Sequence, residues 1–223
     1  MITERSIADT CLKYGISHYS INQDGSIDVD GNVNLRSSAL TILPLRFGRV
    51  MGHFNVQNNF LSTLEGSPVA VGGSFNCFGN QLANFIGSPN WIGGDFYAYS
   101  NKLVSLVGSP NQVVGNYYVS GNENLENLSG CTHKIGGNLS FDDILLSTYS
   151  GDYDIEFDGI FFLNETNYNA PNARKLPEVL LQNMRHIKLI LKYQRYFYVW
   201  NEDLSFNQEN FDILVEEIED GLR

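Results

Sequence analysis

The side chains able to do acid–base, nucleophilic or metal chemistry are few and scattered along the chain. The four histidines are His18, His53, His133 and His186. No two have the spacing of a metal-ligand pair, and none stands beside a Cys or Ser in a nucleophile motif. His53 shares an expected strand with Gln57, but no acid–base partner accompanies them, so a surface histidine is the simpler reading. The three cysteines, Cys11, Cys77 and Cys131, are odd in number and fit no zinc pattern. Asp24, Asp28 and Asp30 lie in a Gly-rich stretch that lacks the terminal Glu of a twelve-residue calcium loop, so a turn fits better. Gly72-Gly73 and Gly93-Gly94 precede strands. A dinucleotide loop needs a strand before its glycines and a helix after them. The expectation is therefore no catalytic residue, no metal and no cofactor.

The elements that carry these residues belong to a repeat. Gly73 and Gly94 are 94 − 73 = 21 residues apart. The same step links Phe54, Phe75, Phe96 and Tyr117, and it links Asn59, Asn80, Asn101 and Asn122. One extra residue enters after Asn122, and the series continues through Leu125, Leu128, Gly130, Ile135, Gly137 and Leu139. Upstream, Val33, Leu35, Leu40 and Leu43 fill a first unit, with Ser38 in the Asn slot. The reading is about five units between Ile27 and Leu146 and a worn sixth, with Ile144 where the asparagine belongs. Phe96 and Ala98 alternate with Asp95, Tyr97 and Tyr99, the period of a short strand. A buried Asn has enough donors and acceptors to satisfy the turn that follows, so Asn59, Asn80, Asn101 and Asn122 are expected to stack as a ladder. Gly108-Ser109-Pro110 and Gly93-Gly94 read as turns that return the chain to the next strand. Cys77 falls in an inward slot equivalent to Val56, Ala98 and Val119, and reads as core. One unit cannot bury its apolar face alone, so neighbours must stack.

The slots Phe96-x-Ala98-x-x-Asn101-x-Leu103-x-x-Leu106 resemble the leucine-rich repeat, with an aromatic replacing one leucine. The short unit, with Pro on its return arm, is similar to the short bacterial class. The repeat V-G-G-x-F-x-x-x-x-N-x-L-x-x-L-x-G-x-P also resembles a family of tailed-phage proteins. Members of that family share the opening stretch seen here from Ile21 to Leu35. The resemblance covers about Ile21 to Leu146, and more loosely the helical C-terminus, and implies a phage origin and a solenoid; it brings no catalytic residue. Some bacterial leucine-rich proteins carry a catalytic Cys after their repeats, but here no cysteine follows Cys131.

The expected architecture is an α/β repeat solenoid, leucine-rich-repeat-like, with short parallel strands, irregular return arms, an N-terminal cap and a helical C-terminal segment. Residues 1–26 read as the cap, a short helix with Ile7, Ala8, Cys11 and Leu12 on one face, stopped by Gly15, and then a hairpin turning at Asp24-Gly25. Residues 27–146 are the solenoid, 147–170 one or two strands of a C-terminal cap, and 171–223 helices. The last helix is expected from about Gln208 to Leu222, capped by Asn207, with Phe211, Leu214, Val215 and Ile218 as its stripe. A basic stretch from Arg174 to Arg195 precedes an acidic one from Glu202 to Asp220; the two read as faces that partly neutralise each other.

The formal net charge of −11 argues against binding nucleic acid through its phosphates and against adhesion to anionic lipid. No apolar run approaches the roughly 20 residues of a membrane span. Met1-Ile2-Thr3-Glu4 does not open a signal segment, so the expectation is a reduced, cytoplasmic protein with free thiols, in a bacterial host if phage-encoded. Repeat proteins recognise partners through exposed strand positions. On the expected concave face Phe78, Tyr97, Tyr99 and Tyr118 fall in neighbouring outward slots, with His53, Gln57 and Asp95 around them. Aromatic anchors with a polar rim are the usual anatomy of a hot spot. The expected function is a non-catalytic protein-binding module, a phage accessory protein that binds, and in the sharper form inhibits, a host bacterial protein such as a defence factor. The alternatives are a phage structural or assembly protein and, remotely, an enzyme with an unrecognised site.

Overall fold

A computed structural model of the chain describes residues 4–125, 130–142, 156–157, 161–164, 177–203 and 205–223. It is a parallel β-solenoid with a helix before it in the chain and helices after it. Each coil contributes a strand to each of two sheets. The first sheet contains Ala70–Val71, Trp91–Ile92, Gln112–Val113 and Lys134–Ile135, paired in parallel from coil to coil. The second contains Val33–Asn34, Phe54–Asn55, Phe75–Asn76, Phe96–Tyr97 and Tyr117–Tyr118. The Gly pair sits between the two strands of a coil. The return arm is therefore less irregular than the sequence suggests. Val71, Ile92, Val113 and Ile135 each bury one side chain beside a variable outward residue, and two residues are too few to show strand alternation. Helix is confined, among the described residues, to the segments outside the coils.

The Gly pairs have a different cause from the one their composition suggests. A Cβ on Gly73 would lie 2.7 Å from His53 Nδ1, and one on Gly94 would lie 2.6 Å from Ser74 Oγ. On Gly72 and Gly93 it would meet the carbonyl oxygen of the coil before, at 2.1 and 2.4 Å. None of these four has a positive φ. They are glycines because successive coils approach too closely for a side chain. Positive φ belongs to the other corners, at Gly87 (+89°) and Gly108 (+85°), where the sequence also reads turns, and at Asn58, Gly79, Ser100 and Gly121 after the second-sheet strands.

Inside, Phe54, Phe75, Phe96 and Tyr117 form one column with ring centroids 5.4, 5.8 and 5.3 Å apart. Asn59, Asn80, Asn101 and Asn122 form another, each no more than 5% exposed. Asn80 is representative: its Nδ2 donates to the carbonyls of Val56 and Cys77, both at 3.0 Å, and its Oδ1 accepts the Leu61 amide at 3.0 Å. Each Asn thus ties its own turn to the turn of the coil before.

At the N-terminus, α1 (Glu4–Lys13) ends at Gly15, with φ +64°, and a hairpin pairs Tyr19–Ile21 antiparallel with Ile27–Val29. The helix buries Ile7 and Cys11. Leu12, expected on the same face, is 83% exposed, and Ala8 is exposed too. The buried pair is spaced i, i+4, whereas Leu12 lies one residue, about 100°, further round. After the last unit, Glu156–Phe157 pairs in parallel with Lys134–Ile135, and Phe161–Asn164 with Leu139–Asp142. The strands read as a C-terminal cap extend both sheets by a further coil. Leu128, Ile144 and Leu146, the remainder of 147–170, and Arg174 and Lys175 lie outside the described residues.

In the C-terminal segment, α2 (Glu178–Gln182) and a short 3-10 turn lead into α3 (Ile187–Tyr193). Then α4 (Gln208–Glu219) starts at Asn207, whose side chain accepts the Asn210 amide at 3.1 Å. Phe211, Leu214 and Ile218 are its buried stripe. Arg185 meets Glu219 at 2.8 Å, one direct bridge between the basic and acidic stretches.

Candidate binding face

Three columns of side chains point outward from the second sheet. The first follows a glycine in every coil: Asn32, His53, Ser74, Asp95, Asn116 and Asn138. These form a second ladder. Asn32 Oδ1 accepts the His53 amide at 2.7 Å, His53 Nδ1 the Ser74 amide at 2.9 Å, and Ser74 Oγ the Asp95 amide at 3.0 Å. Asp95 Oδ1 then accepts the Asn116 amide at 2.7 Å, and Asn116 Oδ1 the Asn138 amide at 2.8 Å. His53 is thus a ladder acceptor through Nδ1, which must carry no proton there. Sequence reasoning missed this ladder, although its signal is present. Every residue from Asn32 to Asn116 in the column carries an acceptor close to its Cβ, and every one follows a glycine that leaves room for the bond.

In the second column, Asn34, Asn55 and Asn76 each turn Oδ1 back to the amide two residues on, at 3.3, 3.0 and 3.0 Å. That bond holds the end of their own strand. In the next two coils tyrosine takes the slot. Tyr97 and Tyr118 stack with centroids 5.3 Å apart and planes 11° from parallel; Tyr99, from the third column, stacks on Tyr118 at 5.2 Å. Tyr97 Oη donates to Asp95 Oδ2 at 2.7 Å. The other oxygen of Asp95 also accepts Asn116 Nδ2 at 2.8 Å.

Tyr97, Tyr99, Tyr118 and Asp95 are thereby brought together on two adjacent coils, all partly exposed. The other expected site residues behave differently. Phe78 is half-buried and shares the Tyr99 column, but it makes no ring contact with the three tyrosines. Gln57 Oε1 is engaged by Asn76 Nδ2 at 2.9 Å. Ser120 and Ser140, in nominally outward slots, are buried and bond each other at 3.0 Å. The rim therefore narrows to the coils before the tyrosines.

The electrostatics follow from burial and from Asp95. Its hydrogen bond holds the Tyr97 proton and, with burial and the carboxylate's charge, pushes the phenol up to about 12. Burial, then Tyr118 and Asp95, push Tyr99 up to about 12 as well. Tyr118 is raised by burial and by Asp95. The cysteines lie elsewhere, and burial raises all three thiols, Cys131 to about 12. A thiol held protonated in this way is a poor nucleophile. Among the described residues no three His, Cys, Asp or Glu side chains gather as a metal site, and no helix is long and apolar enough to cross a membrane.

The fold and this face define a class, the repeat solenoid with a polar, tyrosine-bearing sheet surface. Comparison with protein-family models, with curated proteins and with solved structures returns no match.

Proposed function

We propose that this chain is a non-catalytic protein-binding module whose recognition surface is the outward face of the second sheet, centred on Tyr97, Tyr99 and Tyr118. One observation carries the reading. In the earlier coils the second outward slot holds an Asn that bonds its own backbone, and in the next two it holds a tyrosine that does not. These rings are not needed in the core, which Phe96, Ala98, Tyr117 and Val119 fill from the opposite side of the same strands. Grouped, partly exposed aromatics within a polar surround suit a binding hot spot. The resemblance of the repeats to tailed-phage proteins favours a host bacterial protein as partner, with inhibition of a defence factor as the sharper form.

Affinity purification from infected cells, with Tyr97→Ala and Tyr118→Ala variants run beside the parent, tests this. A host protein recovered at stoichiometric yield by the parent should bind each variant more weakly by about 2 kcal/mol or more, as a central anchor requires. Asn34→Ala, at the rim, should cost about 1 kcal/mol or less by the same reasoning. Calorimetry measures the difference, with circular dichroism to confirm folding. Equal affinity of parent and tyrosine variants moves the site off this face. Recovery of the chain in purified virions would support an assembly role instead.

A further inference from the structure

The nine outward slots of the three coils from Ser74 to Ser120 hold Ser74, Asp95, Asn116, Asn76, Tyr97, Tyr118, Phe78, Tyr99 and Ser120, and among these Asp95 carries the one formal charge. A carboxylate offers about four lone-pair positions. Three on Asp95 are filled, two on Oδ1 by the Asn116 amide and Nδ2, one on Oδ2 by Tyr97 Oη. All three donors are neutral. No ion pair between described residues reaches it. The Tyr99 and Tyr118 hydroxyls bond to no described residue, and both rings belong to the stack that begins at Tyr97, the phenol bonded to Asp95. Because the rings stack on one another, their free edges and hydroxyls meet an incoming group more readily than their faces do.

We infer that the centre of this face receives an arginine side chain of the partner polypeptide, its guanidinium donating to the remaining lone pair of Asp95 Oδ2 and to the phenol oxygens of Tyr99 and Tyr118. This rests on the face being the protein-binding surface and names what the partner brings to it. Charge complementarity selects a cation: a partly buried carboxylate that no ion pair between described residues reaches sits on a chain of net charge −11. The spread of acceptors selects arginine over lysine, since a guanidinium presents five donors in a fixed planar fork and an ammonium is a compact point charge. The Asp95 charge contributes to the raised pKa of all three phenols, behind its hydrogen bond at Tyr97 and behind burial at Tyr99 and Tyr118. A field that disfavours a phenolate favours a cation at the same place.

The test uses the full chain and short peptides, read by NMR shifts of the tyrosine ring protons. Acetyl-Gly-Gly-Arg-Gly-Gly-amide should shift the rings of Tyr97, Tyr99 and Tyr118 saturably. The same peptide with citrulline, a neutral isostere of arginine, should bind weaker by about 10-fold or more, the difference a charge-assisted bond makes. The lysine peptide should fall between them. Asp95→Asn keeps an oxygen for Asn116 and a polar partner for Tyr97 while removing the charge. It should weaken the arginine peptide by about 5-fold or more and leave the citrulline peptide unchanged. Equal affinities for the arginine and citrulline peptides with the unmodified chain would overturn the inference whatever the variant does. So would saturable binding of a neutral glucose oligomer with none of the arginine peptide, which would make the occupant a carbohydrate. The wider reading fails separately: it falls if Tyr97→Ala and Tyr118→Ala leave the captured partner bound, and it survives if they release the partner while Asp95→Asn does not.

Discussion

Asp95 is the residue through which stability and surface chemistry meet. One of its oxygens closes a rung of the outer ladder, and the other holds the proton of Tyr97. The consequence is a pH dependence of known sign. A free tyrosine titrates near 10, while Tyr97 and Tyr99 are pushed up to about 12 in the fold. Their contribution to stability is therefore fully present below about pH 10 and is lost as pH rises towards 12. Spectrophotometric titration at alkaline pH should show a late-ionising group of tyrosines, and Asp95→Asn should move its Tyr97 member down towards 10. A single transition near 10 for every tyrosine that titrates in the folded protein would refute the hydrogen bond.

A coil is held at the element scale by three devices: an inner asparagine, an outer acceptor, and glycines where the coils touch. The glycines are the most restrictive. In Gly94→Ala the new methyl would lie 2.6 Å from Ser74 Oγ, 2.8 Å from its amide nitrogen and 2.9 Å from the Gly73 carbonyl carbon. Two of those atoms are backbone and cannot rotate away. The coils must part locally, at a cost of about 1–3 kcal/mol, the range for overpacking. Urea denaturation measures it. An unchanged midpoint would mean that the coils have more room than the geometry states.

At the scale of the whole molecule, stability is a sum of coil-to-coil interfaces, because each coil touches its neighbours alone. Asn101 works across one such interface. It donates to the carbonyls of Ala98 in its own coil and Cys77 in the coil before, and accepts the amide of Leu82. Asn101→Leu would fill the space, leave the buried Leu82 amide unpaired and take one of two side-chain donors from the carbonyls of Cys77 and Ala98. The expected loss is roughly 1–3 kcal/mol, the penalty of an orphaned polar group. Thermal unfolding should show a lowered midpoint; one equal to the parent's would count against the inner ladder as a source of stability.

Much of this architecture follows from the sequence alone, because a solenoid is a nearly one-dimensional object. A step of 21 residues between Phe54, Phe75, Phe96 and Tyr117 fixes which residues lie above one another before any coordinate is known. The inward slots, the solenoid itself and the N-cap at Asn207 were legible for that reason. What periodicity does not carry is the direction and contact of side chains within one column. Whether Gly94 is a turn or a close approach depends on the distance between coils. Whether Phe78 joins the tyrosines depends on a rotamer set by its neighbours. Whether Leu12 is buried depends on the surface that α1 meets. The tertiary structure decided these, and it decided the meeting of Asp95 with Tyr97 and Asn116, because hydrogen bonds and ring contacts act over a few ångströms and a repeat period specifies position only to the nearest residue.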